Sequence, residues 1–498
     1  MSSRTIRRVL HASVLVACAM LPAISLADIL HVPADFPTIQ AAIDAAADGD
    51  EIVVGPGTYD PFELRGGIGL TITGSAGAAA TVVDAGGASP VCSAPFGMNQ
   101  PVVLRGLTLT NGTRGVQYSS FTNPTLTVDQ CIISNITSTG RGAAIGNVFN
   151  SNGNFTITDT LFVGNSTTED GGALAFVGIS ASFTVTGCTF EDNSSALLGG
   201  AIYDPGGSSQ NRQISGCTFQ GNTAAYGGAI ASLRAYDDTF IQSSEFIGNT
   251  ATEANGGGAI YLSQPAPIVN CEFSGNSALS GPGGGARAVS ATFTDCTFTD
   301  NEALTGGALS LDAGSVTGCT FTQNTATTDG GAVVCGDITV TGSIFTSNAA
   351  SGKGGAAHAA FGQSTFADCE MSMNDATATG GGIYVEDLAI LSILDSTLCM
   401  NTPDQFAFEG ALLASNVFGC DITCPESEPV GACCLNDGSC VELTQATCDA
   451  VGGTYQGDDS LCADASCPAP CFGDANNDGV IDLADLNAVL AAFGQVCP

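Results

Sequence analysis

The sequence has no tryptophan, a single lysine (Lys353) and three histidines, and its Lys and Arg total 11 against 48 Asp and Glu, a formal charge of −37. Three of the basic residues, Arg4, Arg7 and Arg8, lie within the first eight positions, so the rest of the chain is more acidic still. A surface so poor in cations repels phosphate backbones and anionic lipid, which argues against nucleic-acid binding and a polybasic membrane contact. Beyond the N-terminus no stretch reaches the ~18 uninterrupted apolar residues that span a bilayer. Helical apolar periods are also missing from the long central region, which argues against leucine-rich and helical repeats. What the chain has in quantity is glycine, 65 residues, together with Thr and Ser. That mixture favours many short strands and tight turns.

The N-terminus, MSSRTIRRVLHASVLVACAMLPAISLA, has a basic start, an apolar middle and a small-residue exit at Ser25-Leu26-Ala27. This is the pattern of a secretory signal peptide over residues 1–27, which predicts a secreted protein, extracellular or at the cell surface. Leu15-Val16-Ala17-Cys18 offers the alternative of lipoprotein anchoring at Cys18, although the residues after it prolong the apolar segment. Of the 21 cysteines, half of those beyond Cys18 are spread from Cys92 to Cys399 and half crowd between Cys420 and Cys497. In an exported chain the second group can oxidise to disulfides.

The central region repeats. Phe162/Asn165, Phe190/Asn193, Phe219/Asn222, Phe246/Asn249, Phe273/Asn276, Phe298/Asn301, Phe321/Asn324 and Phe345/Asn348 recur in one register, with degenerate copies at Met371/Asn374 and Leu398/Asn401. Repeats of roughly 20 to 50 residues signal a solenoid. Within a repeat, as in FTVTGCTF (183–190), apolar and Thr residues alternate with strand period, placing Cys188 and Phe190 inward and Thr189 outward. Gly-Gly-Ala supplies a sharp bend, Phe stacks on Phe of the next turn, and Asn bonds the backbone and its neighbouring Asn. Cys188, Cys217, Cys271, Cys296, Cys319 and Cys369 share one position with Thr160, Ser244, Ser343 and Ser396. That exchange points to a column of small buried side chains, with a disulfide or metal-binding ladder as the alternative.

The paired GGA[ILV] and FxxN motifs over residues 131–401 resemble the repeat of the polymorphic outer membrane proteins, which implies a right-handed parallel β-helix. No outer-membrane barrel follows them. Residues 31–59, HVPADFPTIQAAIDAAADGDEIVVGPGTY, resemble the N-terminal segment of pectin-lyase-like β-helix proteins. There Thr38 caps a short helix with Ile39, Ala42, Ile43 and Ala46 on one face, and EIVV gives a first strand. Such a helix would cover the open end of the solenoid. The expected fold is therefore all-β, a right-handed parallel β-helix over residues 28–418 with an N-terminal capping helix. A Cys-rich disulfide module follows at 419–468, and an EF-hand-like loop and helix at 469–498.

In DANNDGVIDLAD (474–485), oxygen ligands fall at Asp474, Asn476, Asp478, Asp482 and Asp485, with Gly479 at the tight bend and Val480 offering its carbonyl. Alternate side chains at this spacing wrap one Ca2+. The segment resembles one half of a type I dockerin, with Asp485 in place of the usual Glu and no second copy to support a cohesin-type partner.

For function, the residues support two expectations. The first is an exported non-enzymatic scaffold, adhesive toward extracellular glycans or surface proteins, since nearly every repeated residue has a structural task. The alternative is a polysaccharide lyase or glycoside hydrolase of the pectin-lyase-like fold. Against it stand the scarcity of Lys and Arg, the lack of any catalytic motif, and a carboxylate pair, Asp237-Asp238, whose members as strand neighbours would face opposite ways. His358, near Lys353 in GKGGAAHAA, reads as an exposed loop histidine. No catalytic residue is assigned.

Overall fold

A computed structural model describes residues 27–467 except 95–97, 119–124, 148–152, 178–181, 207–210, 234–238, 388, 410–416, 422–429, 436–438, 458–459, 464 and 466. The signal segment to residue 26, Asp237-Asp238 and the calcium loop at 474–485 lie outside the described residues. The chain divides between residues 422 and 423 into two compact units.

The first unit is an all-β right-handed parallel β-helix of about 13 turns. One turn runs through Ser182–Thr186, Thr189–Glu191, Ser194–Ser195 and Ile202–Asp204. Each strand pairs in parallel with its equivalent one turn on, as in Phe190↔Phe219 and Phe219↔Phe246. The first strand is Ile29–Val32, and EIVV is the second, in register with it from Ile29↔Glu51 to Val32↔Val54. Sequence reasoning missed the earlier strand because Val32 is its only buried residue, so no alternation announces it. Between the two strands runs the helix α1, Ile39–Ala45, whose first turn is capped by the Thr38 hydroxyl accepting from the Ala41 N–H. Ile39, Ala42 and Ile43 bury its apolar face in the common core.

The repeat motifs become columns inside the solenoid. Phenylalanine rings from Phe162 to Phe298 and on to Phe345 stack between successive turns, as at Phe190–Phe219, with centroids 4.8 Å apart and planes 3° from parallel. Beside them runs an asparagine ladder from Asn165 to Asn401. From Asn165 to Asn374 each Nδ2 donates to a Phe or equivalent carbonyl one turn earlier and to the next Asn Oδ1. For Asn301 these bonds are 2.8 Å to Phe273 and 2.9 Å to Asn324. The same Oδ1 also accepts the backbone N–H of the donating Asn, as from Asn301 to Asn324 at 3.1 Å, so the ladder amides are satisfied where water cannot reach.

The cysteine column has an equally local cause. Ser244 Oγ donates to its own Gln242 carbonyl and accepts from the Cys217 N–H, and Cys319 Sγ donates to Thr317 and accepts from Cys296. A hydroxyl or a thiol does the same work, which explains why Ser, Thr and Cys interchange. The thiols from Cys92 to Cys369 are unoxidised and buried, and burial pushes Cys131 and Cys369 up to about 11. Among the described residues the column forms no disulfide ladder. At the Gly-Gly bends the first glycine takes positive φ, 70° at Gly330, and a Cβ on the second, Gly331, would lie 2.1 Å from the Gly355 carbonyl oxygen. The motif is fixed by backbone approach between turns.

One feature breaks the apolar interior. Arg212 and Asp204 face each other in the core with Nε–Oδ2 at 3.6 Å and side chains 2% and 1% exposed. Burial raises the Asp204 carboxyl and the Arg212 charge opposes that rise. Arg212→Met should cost about 3–5 kcal/mol by leaving an uncompensated buried charge, whereas Asp204→Leu combined with Arg212→Met should recover most of it. Urea unfolding of both variants checks this. Equal losses in the two would show that packing, not charge, decides.

The second unit is held covalently. Val430–Cys434 pairs antiparallel with Cys440–Thr444 and Thr454–Tyr455, beside the helix α2, Gln445–Ala450. Disulfides join Cys433–Cys448, Cys434–Cys467 and Cys440–Cys462. With so few large apolar residues, such crosslinks replace a core.

Candidate functional site

In the last turns the repeat degenerates, and there the polar groups of the outer face converge. His358 sits in the strand Ala357–Ala359, Tyr384 in Ile383–Val385, and Phe406–Phe408 follows in the next turn, with register His358↔Tyr384↔Ala407. Inward neighbours such as Ala357 and Ile383 join the core, so strand alternation turns His358 and Tyr384 outward. Two residues beyond Tyr384 comes Glu386, and two beyond Ala407 comes Glu409. The Glu409 N–H donates to Val385 at 2.9 Å, placing the two glutamates at equivalent positions of adjacent turns.

Lys353, just before the Gly-Gly bend, reaches over this face. Its Nζ donates to the Tyr384 hydroxyl at 2.9 Å and lies 3.3 Å from Glu386 Oε1 and 3.5 Å from Glu409 Oε2. The ammonium also stands 4.3 Å from the Tyr384 ring centroid. The bond to Tyr384, then the Glu386 charge, hold the lysine well above the usual range. Tyr384 also donates to Glu409 at 3.3 Å, and burial raises its phenol against the pull of Lys353. The neighbouring Glu386 and then the Lys353 charge hold Glu409 below the usual carboxylate range. Glu386 and Glu409 thus face one ammonium, Lys353 Nζ, from adjacent turns.

Behind them His358 Nε2 is 3.2 Å from Glu386 Oε1, and its ring meets Tyr384 edge-on at 5.5 Å. His358 is 7% exposed, not the exposed loop histidine the sequence suggested, because it lies within a strand and is covered by its neighbours. Burial lowers its basicity, against the opposing charges of Asp329 and Glu386. The unfolded chain therefore binds the His358 proton more readily than the folded one. Its contribution is unfavourable as pH falls from 6.5 toward the lower folded value, at about 1.4 kcal/mol per pH unit within that window. His358→Gln should flatten that part of the stability profile, read as urea midpoint against pH. An unchanged slope would contradict the assignment.

Against this group, Lys353 and His358 were noted from the sequence but not joined, and Tyr384, Glu386 and Glu409 were missed. Aligning turns on Gly-Gly would have set Tyr384 beside His358, at the same offset from Gly380 and Gly354. Earlier turns carry Ala175, Tyr203, Ala231, Tyr261, Arg287, Ser310 and Val334 there, so the offset alone marks a position and not a site. An open depression of about 560 Å³ elsewhere is lined by Asp84, Asn111, Asn135 and Thr137 among others. Its one ionisable side chain, Asp84, already accepts from Asn111 and from the Gly86 N–H, and no cation lines it. Among the described residues no group of three or more His, Cys, Asp or Glu is arranged to hold a metal ion, and no helix is long and apolar enough to cross a membrane.

The family model described as "Right handed beta helix region" matches residues 96–278 and 179–337, which agrees with the observed solenoid. No curated protein matches the chain. Among solved structures, the chain is similar to the A-module of the mannuronan C-5 epimerase AlgE4 of Azotobacter vinelandii, at 14% identity over 76% of this chain and 95% of that one, with TM-score 0.34. It is also similar to the catalytic unit of a GH87 alpha-1,3-glucanase from Streptomyces thermodiastaticus, at 15% identity over 74% and 65%, with TM-score 0.35. At these values neither likeness bears on activity.

Proposed function

We propose that this protein is a polysaccharide-active enzyme of β-helix architecture, working at Lys353, His358, Tyr384, Glu386 and Glu409. The observation that carries this reading is the glutamate pair. Like charges in register on adjacent strands, about 4.8 Å apart, are destabilising, yet here they are retained on a solvent-open face and bridged by the only lysine in the chain. Two carboxyl groups on adjacent turns supply the two roles that glycosidic cleavage needs, a proton donor to the leaving oxygen and a partner that acts at the sugar carbon or on water. Lys353 holds both in place, Tyr384 forms the floor, and His358 orients Glu386.

The non-enzymatic scaffold is the second reading, favoured by the burial of every repeated Phe and Asn column, which leaves the repeats themselves no chemistry. Export by the 1–27 segment, and attachment through a Ca2+ held by Asp474, Asn476, Asp478, Val480, Asp482 and Asp485, are proposed with either reading. Reducing-end release by the purified full chain from a panel of polysaccharides tests the choice. Release from any member supports the enzyme. Glycan binding without release returns the protein to the scaffold class.

A further inference from the structure

We infer that the glycan taken at this site carries no acidic groups and is cut by hydrolysis, not elimination. This rests on the enzymatic reading above and narrows its substrate class. The argument is a census of positive charge among the described residues. Arg105, Arg141, Arg212 and Arg287 are each paired with an aspartate. Arg65 and Arg114 donate to main-chain carbonyls. Lys353 is shared between two glutamates. No described cation is left to receive a substrate carboxylate.

The immediate surroundings point the same way. Around the single Lys353 charge stand Glu386, Glu409 and Asp329, the last close enough to act on His358. A uronate or sulfate placed beside that excess would be repelled. Elimination needs a proton made acidic by a neighbouring uronate carboxylate, with a cation to hold the negative charge that develops there. Here the one cation, Lys353, is already held by Glu386 and Glu409. Hydrolysis requires no such charge. The glycosidic carbon–oxygen bond breaks, the leaving oxygen takes one proton from one glutamate, and water adds its hydroxyl to the sugar carbon and gives its other proton back to the glutamates. One water is consumed and nothing is oxidised or reduced.

The test pairs neutral glucans, mannan and galactan of several linkages with the same polymers oxidised to carboxylates at C6. The full-length protein is assayed for reducing ends, for the ultraviolet absorbance of unsaturated sugar products, and for retardation in gels containing each polymer. The inference expects cleavage of unoxidised members, at least tenfold slower cleavage of their oxidised forms at low salt, and a gap that narrows as salt screens the site. Faster cleavage of an oxidised member, or any unsaturated product, would overturn it while leaving the enzymatic reading intact. If no polymer is cut, the enzymatic reading fails and retardation decides the selectivity alone. Retardation by unoxidised members only would support the exclusion of acidic glycans. Retardation by oxidised members, or by none, would refute it.

Discussion

Replacing Asn301 with leucine should lower the stability of the β-helix by on the order of 4 kcal/mol or more. The side chain is wholly buried, and four groups depend on it. Asn276 loses the acceptor of both its N–H, at 3.0 Å, and its Nδ2, at 2.9 Å. The Phe273 carbonyl loses its donor at 2.8 Å, and Asn324 Oδ1 loses the Asn301 Nδ2 at 2.9 Å while keeping the backbone N–H of position 301. Each buried polar atom left without a partner costs about 1–3 kcal/mol, so the sum exceeds the loss of one ordinary bond several times. Substitution at the ladder's end should cost less, because Asn401 bonds to Gln405 where the others meet an Asn. The comparison of Asn301→Leu with Asn401→Leu by urea unfolding therefore reads the ladder itself. Equal effects would mean that the asparagines act one by one, as local turn residues.

The second large effect concerns activity. Glu386→Gln and Glu409→Gln should each lower turnover by about 10²–10⁴-fold, the range associated with losing a positioned acid or base. Glutamine preserves size and a hydrogen-bonding oxygen, so folding should be retained, and an unchanged urea midpoint confirms that. The double variant should be little slower than the slower single one, since residues that act as a unit are not additive. Wild-type turnover in both single variants would remove the pair from the chemistry.

These two predictions differ in how far the sequence announced them. The phenylalanine and asparagine columns were legible because every turn writes them again at the same offset, and a strand alternation next to Cys188 and Phe190 orients them. The exchange of Cys with Ser and Thr likewise disclosed a column of small buried side chains, though not the carbonyl and N–H that each one joins. The outer face was not legible in the same way. Glu386 and Glu409 lie beyond the motif, in turns where Phe gives way to Met371 and Leu398, and nothing local joins them to Lys353 56 residues away from Glu409. Only the pitch of the solenoid brings them together. The core pair Asp204 and Arg212 was hidden for a related reason, since two charged residues in strand segments read as surface until the register turns both inward.

The most direct measurement is a crystal structure of the Glu386→Gln, Glu409→Gln protein with a neutral oligosaccharide. The account predicts a sugar lying over Tyr384 and Lys353, its glycosidic oxygen within hydrogen-bond reach of position 386 or 409. An oligosaccharide bound elsewhere on the solenoid, with this face bare, would contradict it.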